Sequence, residues 1–300
     1  MFDRIGQEVR PRVWTVFAAC LLSVLLAPIV RALAFAMFTV IGIATRLMLN
    51  PGIASQGQAV GAPVREALRS LAGAFTLISA TALLAPAIAV AGALMSRERV
   101  GNRLGLGRTR LKPAAWIPAM LGSVALAFVL GVAKFLAGLP PIPPPPSNAV
   151  AVGLLLVGSL VVAPGQELLF RGYAQARLCE RWGSAGGVLL SALLSSVLQF
   201  GTPHLPWHFY PPAFVYGVFL GWLAQRTGCV QVPMAVRAMT GAVLTGMPML
   251  GFRLPASRGA DAALLAGAAG VMVFSVVWLV RCSSGSRPVA ADLGAWTAGT

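Results

Sequence analysis

The chain has 300 residues, of which 57% are hydrophobic and only 10% charged. That excludes an ordinary water-soluble domain, where about a quarter of residues carry charge. The 23 Lys and Arg against 8 Asp and Glu give a net charge of +15, but the basic residues sit in short clusters between apolar runs. This pattern fits loops held against an anionic cytoplasmic leaflet and points away from nucleic acid as a partner. The lipid bilayer is the first partner expected.

Roughly 20 mostly apolar residues are needed to span a bilayer, and candidate stretches recur along the chain. They are Val13 to Ala44, Leu68 to Met95, Ala114 to Gly138, Ala149 towards Cys179, Ala185 to Phe200, Pro211 to Ala224, Val232 to Leu250 and Ala262 to Val280. The fold class predicted is all-α, a polytopic transmembrane bundle of about eight helices. The first stretch is too long for the ~15-residue core of a signal peptide and has no small-residue cleavage site, so it reads as a retained anchor. It contains Pro28 and Arg31 and is expected to kink or to continue along the interface. The fourth is expected to break at Pro164-Gly165.

The densest basic run, Arg97, Arg99, Arg103, Arg108, Arg110 and Lys112, orients the bundle. Placing it in the cytoplasm also puts Arg4, Arg10, Arg12, Arg177, Arg181, Arg226 and Arg281 inside, as the positive-inside rule requires. Arg46, Arg65, Arg69, Arg253 and Arg258 are exceptions. Both termini are then cytoplasmic, in a plasma membrane of bacterial inner-membrane type. The uncharged proline run Pro140 to Pro146, an extended connector, and residues 201–212 fall outside. Gly217 and Gly221 form a small-xxx-small pair suited to close helix packing. Three blocks result: N-terminal helices over 1–96, a core over 97–250, and a last helix with a tail over 251–300. The tail after Cys282 is rich in Ser, Gly and Ala and is expected to be poorly ordered.

Ionisable groups inside a bilayer are costly and are functional candidates by default. The segment Gln166-Glu167-Leu-Leu-Phe-Arg171-Gly172 supplies such groups, and Glu167 and Arg171 are spaced to share one helix face. The other unusual segment, Phe200 to His208, holds both histidines. If the chain turns near Gly183, Glu167 lies 16 residues before the turn and His204 lies 21 after it. At ~1.5 Å per residue their depths differ by about 7 Å, close enough for acid–base work or for a structural hydrogen bond. His208 is expected at the interface beside Trp207 and Tyr210. The four cysteines (Cys20, Cys179, Cys229, Cys282) have neither metal nor redox spacing, and two histidines with Pro206 between them make a poor zinc cage. No cofactor or metal is implied.

These motifs resemble the CPBP intramembrane protease family, also called the CAAX prenyl protease 2 or type II CAAX-processing family. Its pattern reads Glu-Glu-x-x-x-Arg, then Phe-x-x-x-His, then His-x-x-x-Asn. Gln166-Glu167-x-x-x-Arg171 stands at the first, Phe200-x-x-x-His204 at the second, and Arg237-x-x-x-Gly241 at the third, following Arg226-Thr-Gly and Pro233. The basic loop with Leu104-Gly105-Leu106 resembles the linker common upstream. The resemblance covers roughly residues 97–250.

In that family the first Glu and the second-motif His are thought to activate water, and the third-motif His and Asn to stabilise the oxyanion. The resemblance therefore implies substitutions at Gln166, Arg237 and Gly241, and leaves Glu167 and His204 as candidate catalytic residues with Arg171 in support. A neutral amide does not accept water's proton, and losing one oxyanion donor costs about 3–4 kcal/mol in known cases. Three readings follow. One is a non-cleaving pseudoprotease that binds a membrane-anchored or lipid-modified partner. The second is an active intramembrane endopeptidase whose rearranged centre uses Glu167 and His204, with Arg237 or His208 replacing lost groups. The third is an unrelated transporter-like bundle. Arg237 at such depth needs a partner, and Glu167 is the carboxylate expected to supply it.

Overall fold

A computed structural model describes residues 13–49, 71–95, 100–107, 113–137, 149–198, 207–246 and 258–283. Among these residues the secondary structure is helical, with no strand. The helices are α1 (Trp14–Leu49), α2 (Leu71–Leu94), α3 (Trp116–Leu136), α4 (Ala149–Glu167), α5 (Ala176–Val197), α6 (Tyr210–Thr227), α7 (Gln231–Gly246) and α8 (Arg258–Ser283). A π-helical segment, Leu168–Gln175, joins α4 to α5. The proline run 140–146, Phe200, His204 and the tail beyond residue 283 lie outside the described residues.

Among the described residues, three helical stretches are long and apolar enough to cross a membrane: Trp14–Ile41, Pro113–Ala133 and Ala262–Cys282. α1 exposes Leu21, Leu25, Ile29 and Leu33, and α8 exposes Val273, Phe274 and Val277. In water such continuous apolar faces would drive aggregation; in lipid they are the solvated surface. Ala82–Leu94 of α2 is a shorter apolar stretch. At 16 residues, α7 is about 24 Å long, less than the ~30 Å hydrocarbon core. Its neighbours shield it, so uniform apolarity is not required of it.

The helices pack in pairs: α1 on α2, α2 on α4, α4 on α7, α5 on α6, and α3 on α8. Two apolar cores result. One gathers Val16 and Cys20 of α1, Ala89 and Ala93 of α2, Leu104, Leu169 and Tyr173. The other gathers Ala115 and Ala119, Leu220 and Leu223 of α6, Val232 and Val236 of α7, and Leu279 of α8.

The basic loops meet at one end of the bundle. Gly105, in a left-handed conformation (φ 65°), accepts a hydrogen bond from the Val230 amide at 2.9 Å. Arg103 pairs with Glu180 at 2.9 Å. Gln225 ties down the next turn by donating to the Ser184 carbonyl at 3.0 Å and to Cys179 Sγ at 3.2 Å. That turn lies at Gly183, where it was expected, and its φ of 72° and ψ of 174° are open to glycine but strained for other residues.

The helix does not break at Pro164-Gly165. α4 runs through Pro164 to Glu167 and then widens into the π segment, all eight residues of which are buried. Pro164 has no amide hydrogen to offer the Leu160 carbonyl, which loosens the helix just before the change of register. Gly165 allows contact with α2, since a Cβ there would stand 2.6 Å from the Ala82 carbonyl oxygen.

Candidate active site

The π segment carries Arg171 and Gln175 one and two steps of four beyond Glu167. Two facing helices are cut to fit this stripe. α5 presents Ser191 and Ser195, and α6 presents Gly217 and Gly221, each pair also four apart. Arg171 donates to Ser191 Oγ at 2.8 Å, to Ser195 Oγ at 3.4 Å and to the Gly217 carbonyl at 2.9 Å. Gln175 donates to the Gly221 carbonyl at 2.9 Å. A Cβ on Gly217 would meet Ser195 Oγ at 3.1 Å and Arg171 at 3.2 Å. The small-xxx-small pair therefore does more than pack: it bares two carbonyls for buried side chains to hold.

Glu167 is 0% exposed and lies between two guanidiniums. Arg171 Nε faces Oε2 at 3.2 Å, an ion pair without hydrogen-bond alignment. From α7, Arg237 Nη1 donates to Oε1 at 2.5 Å, and Arg237 Nη2 donates to Gln166 Oε1. The Arg237 side chain remains 21% exposed. Residue counting along ideal α-helices sets Arg237 too near the basic end for this contact. The π segment rises less per residue than an α-helix, and the long arginine side chain reaches the rest of the way.

Gly241, one turn beyond Arg237, faces α4. A Cβ at this position would stand 3.1 Å from Ser159 Cβ, so the space an Asn side chain needs is occupied by the neighbouring helix. His204 lies outside the described residues. His208 is buried, 6% exposed in the short 3-10 turn Trp207–Phe209, with its ring 4.8 Å from that of Phe209. Trp207, at 74%, takes the exposed position instead. Among the described residues no His, Cys, Asp and Glu cluster fit to hold a metal is present.

A second polar cluster has no signature in the sequence. Ser123 of α3 bonds Tyr216 of α6 at 2.8 Å and Thr240 of α7 at 2.7 Å, while Thr240 donates to the Val236 carbonyl at 2.9 Å. With the Thr240 proton committed, Ser123 donates to Thr240 and Tyr216 to Ser123, so the three hydroxyls form a directed chain. It pins α7 to α3 and α6 one turn from Arg237. Isolated Ser, Tyr and Thr on three separated helices carry no shared spacing by which to find them.

Residues 148–243 match the family model described as "Type II CAAX prenyl endopeptidase Rce1-like". The match spans Gln166, Glu167, Arg171, Arg237 and Gly241 and lies inside the 97–250 stretch that carries the motifs. No curated protein and no solved structure gives a match. Within this all-helical bundle the motifs and the family model therefore agree, and residues 148–243 are similar to type II CAAX prenyl endopeptidases of the Rce1-like kind.

Proposed function

We propose that this chain is a non-cleaving relative of the type II CAAX prenyl endopeptidases, a pseudoprotease that engages a membrane-anchored or lipid-modified partner instead of hydrolysing it. The observation that carries this reading is the occupation of Glu167. Its carboxylate is fully buried, and its two oxygens face Arg171 and Arg237 rather than water. A general base must lie within reach of the proton that it takes, and here guanidinium donors hold that place. Gln166, at the position of the family's first Glu, is a neutral amide whose oxygen also accepts from Arg237.

Arg237 stands where the resemblance puts an oxyanion-holding histidine, and its Nη1 and Nη2 each spend a hydrogen on a neighbour. Gly241 has no side-chain donor, and Ser159 crowds the space for one. The active-peptidase alternative requires Arg237 to release Glu167 during turnover, which strands a buried charge. In the proposed topology the basic end, where Arg103, Arg177, Arg181 and Arg226 gather, faces the cytoplasm of a bacterial inner membrane.

The test is a series of reversions assayed on prenylated and C-terminally anchored peptides. Gln166→Glu alone leaves the chain inactive, because Arg237 and Gly241 are unchanged. Cleavage first becomes measurable when Arg237→His is added. Turnover by the single variant at the rate of active relatives would refute this reading.

A further inference from the structure

The site holds one carboxylate and two guanidiniums. Gln166 is neutral and Glu167 balances one arginine, so the cluster carries one positive charge in excess. Among the described residues no second carboxylate meets Arg171 or Arg237. Arg171 is buried, paired with Glu167 and held by Ser191, Ser195 and the Gly217 carbonyl. The excess therefore sits on Arg237, which keeps further N–H donors beyond the two it uses and is 21% exposed.

An arginine with uncompensated charge at depth is costly in a membrane. Arg237 is the seventh residue of α7, about 9 Å from the start of that helix and so within the ~30 Å hydrocarbon thickness. Lipid headgroups lie at the edge of that layer. Leu160 and Val161 of α4 and Met239 of α7 are exposed, so the two helices that carry the pair present apolar side chains at their surface. A membrane-spanning helix with one buried acid complements this combination of a part-exposed cation and apolar helix surfaces.

We propose that Arg237 is a docking residue for a carboxylate carried within the membrane by a partner's spanning helix. The docked carboxylate neutralises the cluster and spans the open side of the Glu167–Arg237 pair. This assignment rests on the non-cleaving reading, since a bound acid would sit where substrate is processed in an active relative.

The experiment uses the full chain, donor-labelled, in phosphatidylcholine vesicles, with two acceptor-labelled model helices of leucine and alanine. One helix has a single central Asp and its twin has Asn. Energy transfer should show the Asp helix binding about tenfold more tightly than its twin. Arg237→Gln should abolish the preference. Gln166→Glu should abolish it too, because it cancels the excess charge while leaving Arg237 in place, and it keeps the test valid if the first variant misfolds. Equal binding of the twins, or a preference that survives both variants, overturns the proposal. Loss of the preference when phosphatidylglycerol is added overturns it in favour of a lipid headgroup. Cleavage of the probe, read by mass spectrometry, overturns both this assignment and the non-cleaving reading; equal binding without cleavage overturns this assignment alone.

Discussion

Glu167→Ala would leave Arg171 and Arg237 facing each other with no anion between them. Arg171 is buried and Glu167 fully so, and breaking a buried ion pair from one side costs about 3–5 kcal/mol. Arg237→Ala removes two charge-assisted hydrogen bonds, to Glu167 and Gln166. Such bonds contribute about 1.5–3 kcal/mol each when buried. Water reaches this 21% exposed side chain and replaces part of that, so the expected loss is about 2 kcal/mol. In the double variant Arg171 has lost its anion, but the repulsion between the guanidiniums is gone. The combined loss should therefore fall short of the sum of the singles by about 1–2 kcal/mol. Reversible unfolding in mixed SDS micelles measures all four corners of this cycle. Additivity within about 0.3–0.5 kcal/mol would refute the claim that Arg237 holds Glu167.

Three further outcomes are open to the same measurement. Gly172→Ala places a Cβ 2.7 Å from the Leu104 backbone oxygen and should destabilise by about 1–3 kcal/mol, whereas Gly101→Ala, which meets nothing within 4 Å, should not. Gly241→Asn should lower stability because of Ser159, and Ser159→Gly in the same chain should recover most of the loss; no recovery would show that the crowding lies elsewhere. Tyr216→Phe takes one donor from the hydroxyl chain and should cost about 1 kcal/mol, with Thr240 still held by Ser123 and Val236.

Much of this arrangement is visible in the sequence because it repeats at fixed spacing. Glu167, Arg171 and Gln175 recur every four residues, as do Ser191 with Ser195 and Gly217 with Gly221, and such spacing puts residues on one face. Gly183 marks a turn because its conformation requires glycine. The contact between Arg237 and Glu167 follows from charge, since an arginine at that depth needs an anion. The π register does not follow from sequence: Pro164 loosens the helix, but whether the next turn breaks or widens is decided by Leu104, α2 and α6 packed around it. The burial of His208 is equally tertiary, because an aromatic run beside prolines reads as an interfacial belt. The hydroxyl chain of Ser123, Tyr216 and Thr240 depends wholly on which helices meet.

The most direct measurement is hydrolysis by the unmodified chain. Purified protein in lipid would be incubated with prenylated and C-terminally anchored peptides, and products followed by mass spectrometry alongside Glu167→Ala. Neither protein should cleave, because the Glu167 carboxylate is held by two arginines. Robust cleavage that disappears in Glu167→Ala would contradict it.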